Sequence, residues 1–236
     1  MLKAISTINN GVEFTVEAGR PDRITKTNLQ ILKDYGVTRI CINPQTFCDE
    51  TLIKLGRNHT SFDVVEKYML AKDNFSINMD LIAGLEGETF EIFKESIDKA
   101  ISLSPDNITV HTLCIKKGSK LAETETRLSG KEVSQMVDYA SKSLINSGYN
   151  PYYLYRQKYM AGNLENVGYS KPNKACVYNI DIMEEIANNV ACGANAISKR
   201  VFNGGERIER VASPKDVLTY LQKKEEIKKK KEILFS

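Results

Sequence analysis

The sequence predicts an α/β protein, a partial (β/α) TIM-like barrel followed by an α+β extension. Three observations carry this expectation. Short β-branched runs alternate with helical patterns four times before Pro151, as successive βα units around a parallel sheet require. Each of those runs is polar on one side and apolar on the other. After Leu113 the alternation stops and the chain becomes rich in Tyr, Asn and Gly. The expected division is 1–128 for the barrel and 129–236 for the extension.

The strands come first at Glu13–Ala18, Arg39–Asn43, Ile77–Ile82 and Asn107–Leu113. Between the first two, Ile24, Leu29, Ile31 and Leu32 form a helical apolar side, with Thr25 as the N-cap and Gly36 as the stop. The second crossover, Asp49 to Asp73, holds two helical pieces capped by Asp49 and Ser61, with Gly56 to Asn58 in the turn. The third, Thr89 to Leu103, shows Phe90, Phe93, Ile97, Ala100 and Ile101 at helical spacing and stops before Pro105. Ser129–Ser147 is an amphipathic helix ended by Gly148. Beyond it, Tyr152–Tyr155, Ile197–Phe202 and Ile208–Val211 are short strands among ordered loops. Ser213-Pro214 opens a last helix to about Ile233 by the logic of an N1 proline.

Strand parity gives the first sign of function. Thr15 and Glu17 share one face, as do Cys41 and Asn43, Asn78 and Asp80, and Thr109 and His111. The opposite face, with Phe14/Val16, Ile40/Ile42, Ile77/Met79 and Ile108/Val110, lies under helices. A polar inner face suits a barrel that encloses a polar ligand, with its chemistry at the carboxyl ends of the strands. Glu17 can accept bonds from a ribose diol or an ammonium group, or simply pair with Arg39 or another cation. Gln45, after Asn43-Pro44, offers an amide to a ribose hydroxyl, or stabilises its own loop. Arg57 is a fork for a ligand carboxylate, or a surface arginine in a helix–helix turn. Asp80 is the more specific signal, because a carboxylate inside an apolar strand costs several kcal/mol unless it meets a ligand, a cation or backbone donors.

Composition narrows the function classes. The 236 residues carry a net charge of only +3, too mild a surplus for a nucleic-acid surface. The six lysines and three glutamates of Lys223 to Glu232 read as one solvated helical face. No run approaches the roughly 18 apolar residues of a membrane span, so a cytoplasmic protein is expected. Cys41, Cys48, Cys114, Cys176 and Cys192 are odd in number and scattered, which favours reduced thiols over a disulfide framework. No spacing among them matches an iron–sulfur or zinc ligand set, and no metal site is expected from these residues. No residue stands out as a catalytic acid, base or nucleophile.

From Phe14 to about Val211 the chain resembles the oxygen-independent coproporphyrinogen III oxidase (coproporphyrinogen dehydrogenase) family of radical-SAM proteins, most closely its HemZ-like branch. The matching runs include FTVEAGRPDRIT, GVTRICINPQTF, KLGRNHT, INMDLIAGL, PDNITVHTL, ANAISK and, most specific, YRQKYMAGNLENVGY. The resemblance implies that Glu17, Gln45, Arg57 and Asp80 line an S-adenosylmethionine site. It puts Cys114 at a small cofactor-contacting position and Ile197 at one associated with a second S-adenosylmethionine. Glu86 stands where the family usually has Pro, and Cys114 where it usually has Ala. In the family a 5′-deoxyadenosyl radical, generated at a [4Fe–4S] cluster, initiates the oxidative decarboxylation of coproporphyrinogen III in haem synthesis. The Cys-x3-Cys-x2-Cys loop that holds this cluster is not in the sequence. The resemblance therefore implies a carboxyl-terminal portion of a radical-SAM barrel, inactive alone and possessing a porphyrinogen substrate and a missing amino-terminal half as partners. Two other readings stay open: a haem- or porphyrin-binding relative without oxidase activity, and an unrelated barrel that binds a sugar or nucleotide phosphate.

Overall fold

The structure, a computed structural model, describes Lys3, Ile5, Thr7 and residues 13–114, 129–156 and 160–236. The expected domain boundary at 128 and residues 157–159 of the YRQKYMAGNLENVGY run lie outside these. Two compact units are formed, Met1–Cys176 and Val177–Ser236.

In the first unit, β1 (Thr15–Gly19), β2 (Arg39–Ile42), β3 (Ser76–Ala83) and β4 (Asn107–Thr112) lie side by side and parallel. The chain then forms β5 (Asn150–Tyr155) and β6 (Asn166–Ser170), and β6 inserts antiparallel between β4 and β5. The result is one six-stranded sheet of order β1-β2-β3-β4-β6-β5. The crossovers are α1 (Lys26–Asp34), the pair α2 (Asp49–Lys54) and α3 (Ser61–Ala71), α4 (Phe90–Leu103) and α5 (Gly130–Asn146). The expected apolar strand face is the one these helices cover. Ile40, Ile42, Ile77 and Met79 pack with Leu29, Val64 and Tyr68, and Leu81, Ile108 and Val110 pack with Phe93, Ile97 and Met136. Each such side chain, fully buried, contributes about 1.5–3 kcal/mol.

Helix ends follow local chemistry, with two shifts from expectation. Thr25 caps α1 by accepting from Asn28 N, as its position predicts. The cap of α3 is Thr60 instead of Ser61, because Asp63 three residues on reaches back to Thr60 N at 2.7 Å and completes a capping box. Asp49 occupies the first turn of α2 and accepts from Ser61 N at 2.6 Å, joining the two helices. A second capping box, Ser129 with Glu132, starts α5. β6 was not expected as a strand, since its Asn-Val-Gly-Tyr-Ser sequence has weak β-propensity and owes its form to the neighbours on both sides.

The second unit contains α6 (Val177–Met183), the antiparallel hairpin of β7 (Ile197–Phe202) and β8 (Arg207–Ala212), α7 (Val217–Gln222) and α8 (Lys224–Phe235). The single last helix expected from Ser213-Pro214 is two helices. Pro214 O accepts from Asn195 N at 2.7 Å, which keeps that pair in a loop, and Asp216 caps α7 through Thr219 N. On α8, Ile227 and Leu234 are buried while Lys228, Lys229 and Lys230 are exposed, so the lysine run is a solvated face. Among the described residues no helix is long and apolar enough to cross a membrane.

Candidate functional site

The carboxyl ends of β1 to β4 gather most of the predicted residues. A bulge between Val16 and Gly19 interrupts the β1–β2 register around Glu17, and such bulges re-aim side chains. Here the Glu17 carboxylate accepts from the Cys41 thiol at 3.1 Å. Gln45 follows β2 with a left-handed backbone (φ 68°). That conformation costs a non-glycine residue of the order of 1 kcal/mol. It is held by two backbone bonds, Gln45 N to Asp80 O and Ile82 N to Gln45 O, both 2.9 Å. Gln45 is thereby locked alongside Asp80 and Leu81.

The loop carrying Gln45 is also held from the helix side. Thr46 Oγ1 donates to Glu88 Oε1 at 2.5 Å and lies 3.2 Å from Ser96 Oγ, which in turn accepts from Phe47 N. Glu88 is buried, and burial raises its pKa against the lowering effect of bonds from Thr46 and Thr51. Its role was not anticipated, because one more Glu in the acidic Glu86-Gly87-Glu88 loop gives no periodic signal of burial.

Charge is divided across this end. Desolvation lifts the Glu17 pKa; the Cys41 hydrogen bond opposes that lift and the Asp80 carboxylate reinforces it. The side chain reaches solvent, so screening limits the effect. Arg57, in the turn between α2 and α3, is half-buried, and its pKa is lowered first by desolvation and then by the Arg20 guanidinium just beyond β1. Among the described residues no carboxylate pairs with Arg57. Asn43 Oδ1 is buried there with no hydrogen-bond partner. Two carboxylates, the guanidinium of Arg57, which has no carboxylate partner among the described residues, and the amide oxygen of Asn43 complement a zwitterion that also carries hydroxyl groups. The residues present therefore fit the amino-acid and ribose parts of S-adenosylmethionine.

They do not fit an iron–sulfur cluster. The Cys41 thiol is buried and bonded to Glu17, burial and Glu17 both driving its pKa upward, and the Cys176 thiol donates to Glu13 Oε1 at 3.0 Å. Among the described residues no three His, Cys, Asp or Glu side chains converge to hold a metal ion.

The remaining two candidates are Cys114 and Ile197. Cys114, half-buried just past β4, forms an isolated antiparallel bridge with Met160. Ile197 belongs to the second unit, where it opens β7 and is 50% exposed.

Deeper on the polar face, the buried Arg39 is bonded to Glu13, to Asn78 Oδ1 at 2.8 Å, and to the Lys174 and Ala175 carbonyls. This settles one of the alternatives for Glu17, since Glu13 and not Glu17 neutralises Arg39.

Comparison with known proteins gives consistent matches. Residues 1–100 match the family model of the radical SAM superfamily. The chain is 44% identical over 225 residues to the oxygen-independent coproporphyrinogen-III oxidase-like protein HemZ of Bacillus subtilis, covering 93% of this chain and 45% of that protein. It is 39% identical over 106 residues to the heme chaperone HemW of the same organism, covering 44% of this chain and 28% of that one. Among solved structures, coproporphyrinogen III oxidase (HemN) from Escherichia coli, described as a radical SAM enzyme, superimposes with a TM-score of 0.71 at 17% identity. That match covers 95% of this chain and 53% of the other, and shows a shared mixed α/β fold. The chain thus spans about half the length of the relatives it matches.

Proposed function

We propose that the strand-end site binds S-adenosylmethionine in a HemZ-like, coproporphyrinogen oxidase-related protein of the cytoplasm, a reading supported by the match of residues 1–100 to the radical SAM superfamily. The observation that carries this reading is that the Gln45 loop is bonded to β3 at Asp80 O beside the Glu17–Cys41 hydrogen bond, while Arg57 has no carboxylate partner among the described residues. Arg57 takes the methionine carboxylate, Gln45 the ribose, Glu17 the ribose or amino group, and Asp80 further polar atoms of the cofactor. Cys114 is assigned as an additional contact, and Ile197, in the second unit, keeps the association with a second S-adenosylmethionine that the resemblance implies. When bound together with a cluster, the cofactor supplies hydrogen-atom abstraction from a porphyrinogen propionate side chain. This chain's own residues bind and orient the cofactor.

A second reading, a haem- or porphyrin-binding protein without oxidase activity, is supported by the similarity to the heme chaperone HemW. Equilibrium dialysis against S-adenosylmethionine tests the first. Asp80→Ala should weaken binding about tenfold, the loss of one charged hydrogen bond, while Glu86→Ala in the following loop should change it little. Equal small effects from both would remove Asp80 from the site. Porphyrin binding by a chain that takes up no S-adenosylmethionine would favour the second reading.

A further inference from the structure

A line of side chains on the polar sheet face remains without a role in the site above. Tyr153 lies across β6 because its register partner is Gly168, where an added Cβ would fall 1.8 Å from Tyr153 Cε1. The Tyr153 hydroxyl thereby reaches Thr109 Oγ1 at 3.1 Å. Tyr155 stacks on Tyr153, ring centroids 6.3 Å apart and planes within 6°, so its direction is set by that ring. Its hydroxyl sits 3.3 Å from His111 Nδ1, and His111 Nε2 faces Asp80 Oδ2 at 3.6 Å. Asp80 and His111 are diagonal neighbours on β3 and β4, since Asp80 registers with Thr109 and His111 with Ile82.

We propose that His111 is a positioning residue that aims the Asp80 carboxylate, with Tyr155 donating to Nδ1 and so keeping a proton on Nε2. The inference rests on the assignment of Asp80 to the cofactor. A neutral imidazole has one donor and one acceptor nitrogen. The opposite tautomer would set the Nε2 lone pair against a carboxylate, an arrangement of two acceptors. Tyr155 remains a donor because burial, and then the Asp80 charge, raise its pKa. The line is thus ordered from Gly168 outward: the missing side chain admits Tyr153, Tyr153 orients Tyr155, Tyr155 sets the imidazole, and the imidazole holds the carboxylate.

Calorimetric titration with S-adenosylmethionine on the intact chain, combined with long-range 15N–1H correlation spectra of His111, tests this. His111→Phe should weaken binding about tenfold, as Asp80→Ala does, and the double variant should be no weaker than Asp80→Ala alone. His111→Gln, which retains an N–H donor, should stay within about threefold of the parent. Free of cofactor, His111 should carry its proton on Nε2, and Tyr155→Phe should redistribute it toward Nδ1. Additive losses in the double variant, or unchanged affinity in His111→Phe, would overturn the proposal. If the parent chain binds no cofactor, the assignment of the site fails, and the spectra still decide the role of His111: a proton on Nδ1 overturns it.

Discussion

At the scale of single residues, Gly168 shows how one absent side chain organises a face. It occupies a strand position, where glycine is ordinarily unfavourable, and the ring of Tyr153 fills the space a Cβ would take. Gly168→Ala should therefore push the ring off Thr109 and cost about 1–3 kcal/mol, as overpacking of a filled site does. Thermal unfolding together with near-ultraviolet circular dichroism checks this; an unchanged tyrosine signal and melting temperature would mean that the ring relocates freely. Arg39 makes a related point. Its burial is acceptable because Glu13 neutralises it and Asn78 and two backbone carbonyls accept hydrogen bonds from its Nη1 and Nη2.

At the scale of elements, the loop between β2 and α2 is held in a left-handed conformation at Gln45 by groups from β3 and α4. Glu88 is the buried anchor of that clamp. Its pKa is raised by burial in the folded protein, so its favourable contribution is complete below the ordinary carboxyl value near ~4.3 and is lost as pH rises through the raised one. Glu88→Gln keeps an acceptor for Thr46 without the charge. The variant should match the parent in melting temperature near about pH 4 and gain on it toward neutrality. Melting curves across that range decide the matter: a constant difference between the two would show that Glu88 does not titrate in the folded state within it. The Thr25 cap of α1 was legible from the sequence, but this clamp was not. Thr46 and Glu88 are 42 residues apart, and nothing in either neighbourhood marks the pairing.

At the scale of the whole molecule, the sheet order leaves β1 and β5 as its two edge strands. Among the described residues β1 pairs with β2 alone, and its Val16 and Ala18 pack on the apolar cluster beneath. An edge with unpaired backbone groups is a template for other strands. The chain by itself should therefore self-associate, growing more so with concentration. Size-exclusion chromatography with light scattering measures this, and a monomer at high concentration with ordinary cooperative melting would show that the edge is protected.

The sequence by itself determined the four parallel strands, their crossover helices, which strand face is polar, and some helix ends, the Thr25 cap of α1 among them. These features are written in periods of 2 and 3.6 residues and in end signals spanning about four positions, so a short window of chain contains them. It also marked Asp80, as a carboxylate set into an apolar strand, and Glu17, Gln45 and Arg57, through runs shared with a family, as the residues of the proposed site. Only the tertiary structure decided that β6 enters between β4 and β5, that Glu13 serves Arg39, that Glu88 supports Gln45, and that Tyr155 meets His111. The partners in the last of these are 44 residues apart. Such contacts arise when distant strands come into register, and they depend on the order of the sheet, which no local pattern of hydrophobicity specifies.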